Sequence, residues 1–149
     1  MVKKIISGGQ TGADRAGLDY AINNWLDHGG WCPKNRRAED GAIDPRYQLQ
    51  ETEDDDYNER TELNVKGSDA TVIFTKAKLG AGSNLTKRLA EGHGKPWLIV
   101  KIQNPKTAAN LLRRFLERHS PEVLNVAGTR ESHCPEIYKF TYNVLGRAL

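Results

Sequence analysis

Two stretches of this 149-residue chain, Asp69–Thr75 and Pro96–Ile102, are apolar at nearly consecutive positions, and the segment between them carries Leu85, Leu89 and Ala90 at helical spacing. A strand that presents apolar groups on both sides must be covered on both sides, which requires a parallel sheet between two layers of helices. Lys3–Ile6, a short segment around Trp31–Cys32 and Glu122–Val126 read as three further strands. The expected fold is therefore a three-layer α/β/α domain with a mostly parallel five-stranded sheet, spanning residues 1–149 as one unit.

The helices follow from periodicity. Leu18, Ala21, Ile22 and Trp25 share one face after the first strand, with Gly29–Gly30 expected to stop that helix. Pro105 opens a helix carrying Ala108, Leu111, Leu112, Phe115 and Leu116, and Ile137, Thr141, Val144, Leu145 and Ala148 mark the closing one. Pro33–Asp44 reads as loop. Asp54–Lys66 is either loop or a helix capped by Asp54 or Asp56 that ends at Gly67. Ser83 or Asn84 is the expected cap of the helix before Gly92.

Composition narrows the function classes. A mean hydropathy of -0.66 with 28% charged residues describes a soluble globular chain, and no apolar run approaches the length of a membrane span. The strand-like Met1–Ile6 is too short for a signal peptide. Two widely separated cysteines, Cys32 and Cys134, do not suggest a disulfide framework, so a reducing cytoplasm is expected. A net charge of +3 favours anionic ligands weakly and does not indicate nucleic acid or membrane.

The chemistry lies in the loops. Ser7-Gly8-Gly9-Gln10-Thr11-Gly12-Ala13-Asp14-Arg15 links the first strand to the first helix. Its glycines allow close backbone approach, and a helix N-terminus follows, the combination that holds an anion. It matches neither the P-loop nor the dinucleotide fingerprint, and a purely structural tight turn is the competing reading. A second such loop, Leu79-Gly80-Ala81-Gly82-Ser83-Asn84, follows the third strand. In a parallel sheet both loops emerge on one rim, together with Cys32, Lys34, Arg36, Arg130 and Ser132. Asp14 reads first as an N-cap, and Arg15 as a phosphate grip or a solvated first-turn residue. Tyr57, Arg60, Thr61 and Asn64 would form a polar helical stripe, either a pocket wall or a solvent face. His28, His93 and His119 each fall near an expected helix C-terminus. No spacing suggests a metal site, and no catalytic residue is assigned.

Several long blocks together resemble the molybdenum carrier family: Ser7–Ala16, Gly29–Lys34 with Arg36–Gly41, Tyr57 with Arg60–Glu62 and Asn64–Val65, and Leu124–Gly128 with Arg130–Ser132. The resemblance spans nearly the whole chain. It implies a Rossmann-like fold, a homo-oligomer, and carriage of molybdenum cofactor, a phosphorylated pterin with a dithiolene-held metal. It also implies a distant tie to the lysine-decarboxylase-like superfamily, which includes cytokinin riboside monophosphate phosphoribohydrolases. Those enzymes carry a Pro-Gly-Gly-x-Gly-Thr loop followed closely by a catalytic Glu, whereas Leu79–Thr86 has Leu for Pro, an altered glycine pattern and no Glu before Glu91.

The leading expectation is a binding protein for an anionic small molecule, a phosphorylated pterin or nucleotide. Ser7, Gly8, Gly9, Gln10, Thr11, Gly12, Gly80, Gly82, Ser83 and Asn84 would hold the phosphate, with Asp14 among the lining residues. Arg15, Lys34, Arg36 and Arg130 would neutralise charge, and Tyr57, Arg60 and Asn64 would read the ring. The alternative is an enzyme acting on a nucleotide or its derivative, with Asp14, Glu62 or Glu131 as acid/base candidates.

Overall fold

In the computed structural model, which describes residues 1–149, the central sheet has five parallel strands. They are β1 (Lys4–Ile6), β2 (Asp27–Gly29), β7 (Ala70–Thr75), β8 (Trp97–Lys101) and β9 (Val123–Gly128). Between β2 and β7 the chain makes an excursion. There β3 (Trp31–Cys32) pairs in parallel with β6 (Gln50–Glu51), and β4 (Arg37–Ala38) forms a hairpin with β5 (Gly41–Ala42). The helices are α1 (Ala13–Asn23), α2 (Tyr57–Lys66), α3 (Ala81–Gly92), α4 (Pro105–His119) and α5 (Ile137–Ala148).

The sheet order is β2-β1-β9-β7-β8. The last strand of the chain therefore lies at the centre, bonded in parallel to β1 through Lys4–Ile6 and to β7 through Ala70–Phe74. Moving that strand to the front of the chain would turn the order into 3-2-1-4-5, the order of the dinucleotide-binding fold, whose ligand crevice lies between strands 1 and 4. The equivalent crevice here lies between β9 and β7. Because β9 is central, it delivers Arg130 between the loops that follow β1 and β7.

The two faces of the sheet differ in character. Alternate residues Ile5, Val72, Phe74, Leu124 and Val126 join the main apolar core beneath α1, α4 and α5. The opposite face, covered by α2 and α3, carries Thr71 and Asn125, joined by a 3.2 Å bond from Asn125 Nδ2 to Thr71 Oγ1. Further along, Thr129 Oγ1 donates to Thr75 Oγ1 at 3.2 Å. The C-terminal end of β9 on this side, Ala127–Gly128 with Thr129, reaches the crevice.

Several local expectations change. The second central strand is Asp27–Gly29 rather than Trp31–Cys32, and Gly29 belongs to it instead of ending α1. An edge strand reading Asp-His-Gly has no apolar period to detect. Helix α1 ends at Asn23, and Trp25 turns with φ 61° and stands 96% exposed, so it does not extend the helix's packed face. His28 lies in β2, where Nε2 accepts from the Gln48 amide at 3.1 Å, and not at a helix end. Cys32 is buried with Leu18, Ala38, Ile43 and Tyr47. Asp56 caps α2, accepting from Asn58 N–H at 2.6 Å, and Gly67 ends the helix. Helix α3 starts from Gly80 with no side-chain cap, so neither Ser83 nor Asn84 serves as one.

Central placement of β9 depends on Gly128. Its φ is +151°, and a Cβ there would sit 2.0 Å from the Phe74 carbonyl oxygen of the neighbouring strand. Gly128→Ala is expected to cost roughly 3 kcal/mol or more of stability, read as a lowered urea midpoint. A loss under about 1 kcal/mol, within the ordinary range of point substitutions, would contradict this tight junction.

Candidate functional site

The first glycine loop spends three of its central amides on its own side chains. Gly9 N–H donates to Ser7 Oγ at 3.2 Å, Gln10 N–H to Asp14 Oδ2 at 3.3 Å and Thr11 N–H to Gln10 Oε1 at 3.1 Å. Ala13 N–H donates to the Thr129 carbonyl at 3.2 Å. Side chains cover the glycines: Arg60 lies on Gly8, and Ile43 and Leu49 lie on Gly9. Gly12 starts α1 at φ 81°, where a Cβ would meet the Thr129 carbonyl at 2.4 Å. Asp14 is thus not the N-cap but the second helical residue, bracing the loop from within.

Several other residues of the expected site tie the excursion down. The Arg15 guanidinium donates from Nε and Nη2 to the Gly9 carbonyl at 3.1 and 3.0 Å, and grips Asp40 through both Nη atoms at 2.9 and 3.1 Å. Arg36 donates to the carbonyls of Ile43, Asp44 and Tyr47 at 2.9, 2.8 and 2.7 Å. Buried Asn64 clamps Trp31, accepting its N–H at 2.8 Å and donating to its carbonyl at 3.0 Å. Lys34 is exposed, and its amide donates to the Asp54 carbonyl at 3.0 Å. Beside Asp40 at the hairpin tip, Glu39 accepts from Thr11 Oγ1 and from the amide and hydroxyl of Ser132, at 3.2 and 2.6 Å. These bonds hold its carboxyl below the usual range against the burial that opposes them.

What remains open is a crevice of about 380 Å³ at the C-terminal ends of β1, β9 and β7. Its lining includes Gln10, Asp14, Tyr57, Arg60, Lys76, Gly80, Gly82, Ser83 and Gly128–Arg130. Here the second glycine loop does what the first does not. No side chain caps α3, nothing lies within 4 Å of where a Cβ on Gly80 or Gly82 would stand, and the first inward-bonding amide beyond the cap is Asn84, to the Gly80 carbonyl at 3.0 Å. The first-turn N–H groups and the positive end of the α3 dipole therefore face the crevice. Asn84 itself is exposed and lies outside the lining.

Positive charge collects around that opening. Lys76 Nζ donates to the His133 carbonyl at 3.1 Å, and Arg130 Nη1 stands 4.0 Å from Glu39 Oε2. Three guanidinium groups surround the Tyr57 ring, with Arg37, Arg60 and Arg130 at 4.6, 5.3 and 5.4 Å from its centroid. Against them stands one buried carboxylate, Asp14, with Arg60 Nη1 at 3.5 Å. Burial raises the Asp14 pKa above its ordinary value, although Arg60, the Gln10 amide, Arg15 and Arg130 all pull it down.

Over residues 5–149 the sequence matches the family model described as Circularly permutated YpsA SLOG family. The chain belongs to that family. A crystal structure of a protein from Syntrophus aciditrophicus SB, named "Putative molybdenum carrier protein" and determined at 1.45 Å resolution, aligns with a TM-score of 0.97. The two sequences are 46% identical over 99% of this chain and 95% of that one. Among curated proteins none matches this chain. The permutation in the family's name accounts for the strand order: in this SLOG chain β9 takes the place of the first Rossmann strand, and the loop after β9, rather than the loop after β1, occupies the central position.

Thus Tyr57, Arg60, Gly80, Gly82, Ser83, Arg130, Gln10 and Asp14 converge on the SLOG crevice, while Lys34, Arg36 and Asn84 lie outside it and Arg15 and Asn64 serve neighbouring backbone. Sequence reasoning did not assign Lys76, Thr86, Thr129 or His133 to it. Lys76 and Thr129 directly follow β7 and β9, so a correct strand order would have found them. The pKa shift of Asp14 gives a direct check. Carboxyl ¹³C NMR should find Asp14 titrating above the usual aspartate range, and Arg60→Leu should raise it further by removing the largest lowering influence. Because the folded pKa exceeds the unfolded one, the Asp14 contribution to stability improves as pH falls through the folded pKa toward the unfolded one. A titration at or below the ordinary value would contradict burial as the dominant influence.

Proposed function

We propose that this protein binds a phosphorylated small molecule in the crevice between β7 and β9, as a carrier or binding protein. The observation that supports it most is the uncapped α3 N-terminus, which opens with Lys76, Arg60 and Arg130 onto one cavity of about 380 Å³. A phosphate there gains amide hydrogen bonds, the helix dipole and charge-assisted bonds from guanidinium groups. The Tyr57 ring at the mouth offers a face to a planar ring system, once its flanking arginines turn toward the phosphate. A phosphorylated pterin or nucleotide combines those two features. Molybdenum cofactor is the candidate ligand that the name of the Syntrophus protein suggests. Its phosphate would lie at Gly80–Ser83 with Arg130, and its pterin near Tyr57 and Arg60.

A second reading, chemistry on a nucleotide, is favoured by one observation: the buried carboxyl of Asp14 on the crevice wall. The other acid/base candidates lie elsewhere, since Glu62 pairs with His93 at 3.0 Å and Glu131 Oε1 accepts from Tyr138 N–H at 3.1 Å. Mass spectrometry after incubation with nucleoside mono- and diphosphates separates the readings. Unchanged nucleotides support the carrier, and products that vanish in Asp14→Asn support the enzyme.

Gly80→Asp tests the anion site. The substitution meets no steric obstacle at the N-cap, and its carboxylate would cap α3 where the phosphate is placed. Stability should hold or rise by a few tenths of a kcal/mol, about the usual difference between Gly and Asp caps. Affinity for inorganic phosphate and nucleoside monophosphates, measured by calorimetry, should fall at least roughly tenfold, as expected when a negative charge takes an anion site. Undiminished binding with a stable fold would overturn the proposed location.

A further inference from the structure

The wall opposite α3 is built differently from the anion end. Gln10 is 5% exposed, and its side-chain oxygen accepts from two backbone groups, Thr11 N–H at 3.1 Å and Glu39 N–H at 2.9 Å. Those bonds fix the amide orientation, because the flipped form would set an NH₂ group against two N–H donors. The Nε2 group is thereby a committed donor, buried and without an acceptor, on a residue that lines the crevice. On the same lining, both bonds to the Asp14 carboxylate fall on Oδ2, from Gln10 N–H and Arg60, so Oδ1 takes no hydrogen bond from the protein. Arg60 Nε is a further buried donor without a partner. Buried polar groups are normally satisfied, and those left open beside a cavity are the ones a ligand completes.

The charges on this wall balance. Asp14 and Arg60 face each other at 3.5 Å, so the Asp14 charge disfavours a second anion and Arg60 disfavours a cation. What complements a fixed donor and a free acceptor on residues of one lining is an uncharged group that both accepts and donates. We infer that Gln10 Nε2 and Asp14 Oδ1 form a subsite for such a group, a sugar hydroxyl or a lactam edge, on a ligand whose phosphate lies at α3. The inference rests on the proposed anion site and adds that the ligand is polar and neutral at its other end, with Gln10 setting specificity.

Calorimetry with inorganic phosphate, ribose 5-phosphate and guanosine 5′-monophosphate tests this on the full chain, comparing wild type, Gln10→Glu and Gln10→Met. The glutamate variant keeps an oxygen for Thr11 and Glu39 but loses the donor; the methionine variant loses the donor without adding charge. Thermal unfolding selects conditions in which all three proteins are folded. The wild type should bind at least one organic phosphate at least tenfold more tightly than inorganic phosphate. That ratio should drop severalfold in both variants, down to whatever the Tyr57 face alone supplies, while inorganic phosphate binding persists in Gln10→Met. A preference seen already with ribose 5-phosphate assigns the group to sugar hydroxyls, and one seen only with the nucleotide assigns it to the base. A ratio that survives in either variant, or a wild type that binds inorganic phosphate and shows no preference, overturns the subsite while leaving the anion site standing. Failure of the wild type to bind any of the three overturns both.

Discussion

The two ladders of β9 hold this fold together. Without them β1–β2 and β7–β8 are separate two-stranded pieces, each too small to be stable alone, and no edge joins them. With them, the apolar side chains of β9 complete the core beneath α1 and α5, and its polar side chains complete the polar face beneath α2 and α3. The same insertion brings Thr129 and Arg130 between the loops that follow β1 and β7, so the site exists only when the last strand has docked. Folding and formation of the crevice are therefore coupled through one long-range event, which closes a loop of nearly the whole chain.

The two glycine loops look alike in sequence and behave differently because of their neighbours. The loop after β1 is overlaid by the excursion, whose hairpin tip sends Glu39 to Thr11 and Ser132 and Asp40 to Arg15. Its Gly9, Gln10 and Thr11 amides are taken by Ser7, Asp14 and Gln10, so this part of the loop is a platform on which Gln10 and Arg60 sit. The loop after β7 has no overlying segment and no cap, which leaves its backbone donors open. One loop shapes the wall, and the other presents the open helix start at which we place the anion.

Much of this architecture was legible in the sequence. The strands that became β1, β7, β8 and β9 announced themselves through apolar runs, and the parallel sheet followed from their alternation with amphipathic helices. Resemblance to the molybdenum carrier family pointed to the same Rossmann-like fold. The polar edge strand Asp27–Gly29 was invisible because it buries no apolar side chain, and the pairing of Trp31–Cys32 with Gln50–Glu51 is a contact between short segments without periodicity. At the site, Tyr57, Arg60 and Arg130 stood out as polar groups on elements expected to be apolar or near the rim. Arg15, Arg36 and Asn64 looked equally suited to a ligand. Their actual partners, Asp40, the 43–47 backbone and Trp31, depend on how the excursion folds back, which no local pattern encodes.

The central claim is a division of labour: α3 receives the anion while the first glycine loop is structurally closed. Backbone ¹⁵N–¹H NMR during a titration with inorganic phosphate tests it residue by residue. The account predicts saturable shifts concentrated at Ala81, Gly82, Ser83 and Thr129–Arg130, with Gly9, Gln10 and Thr11 nearly unmoved. Shifts centred on Gly8–Gly12 with the α3 amides silent would contradict it.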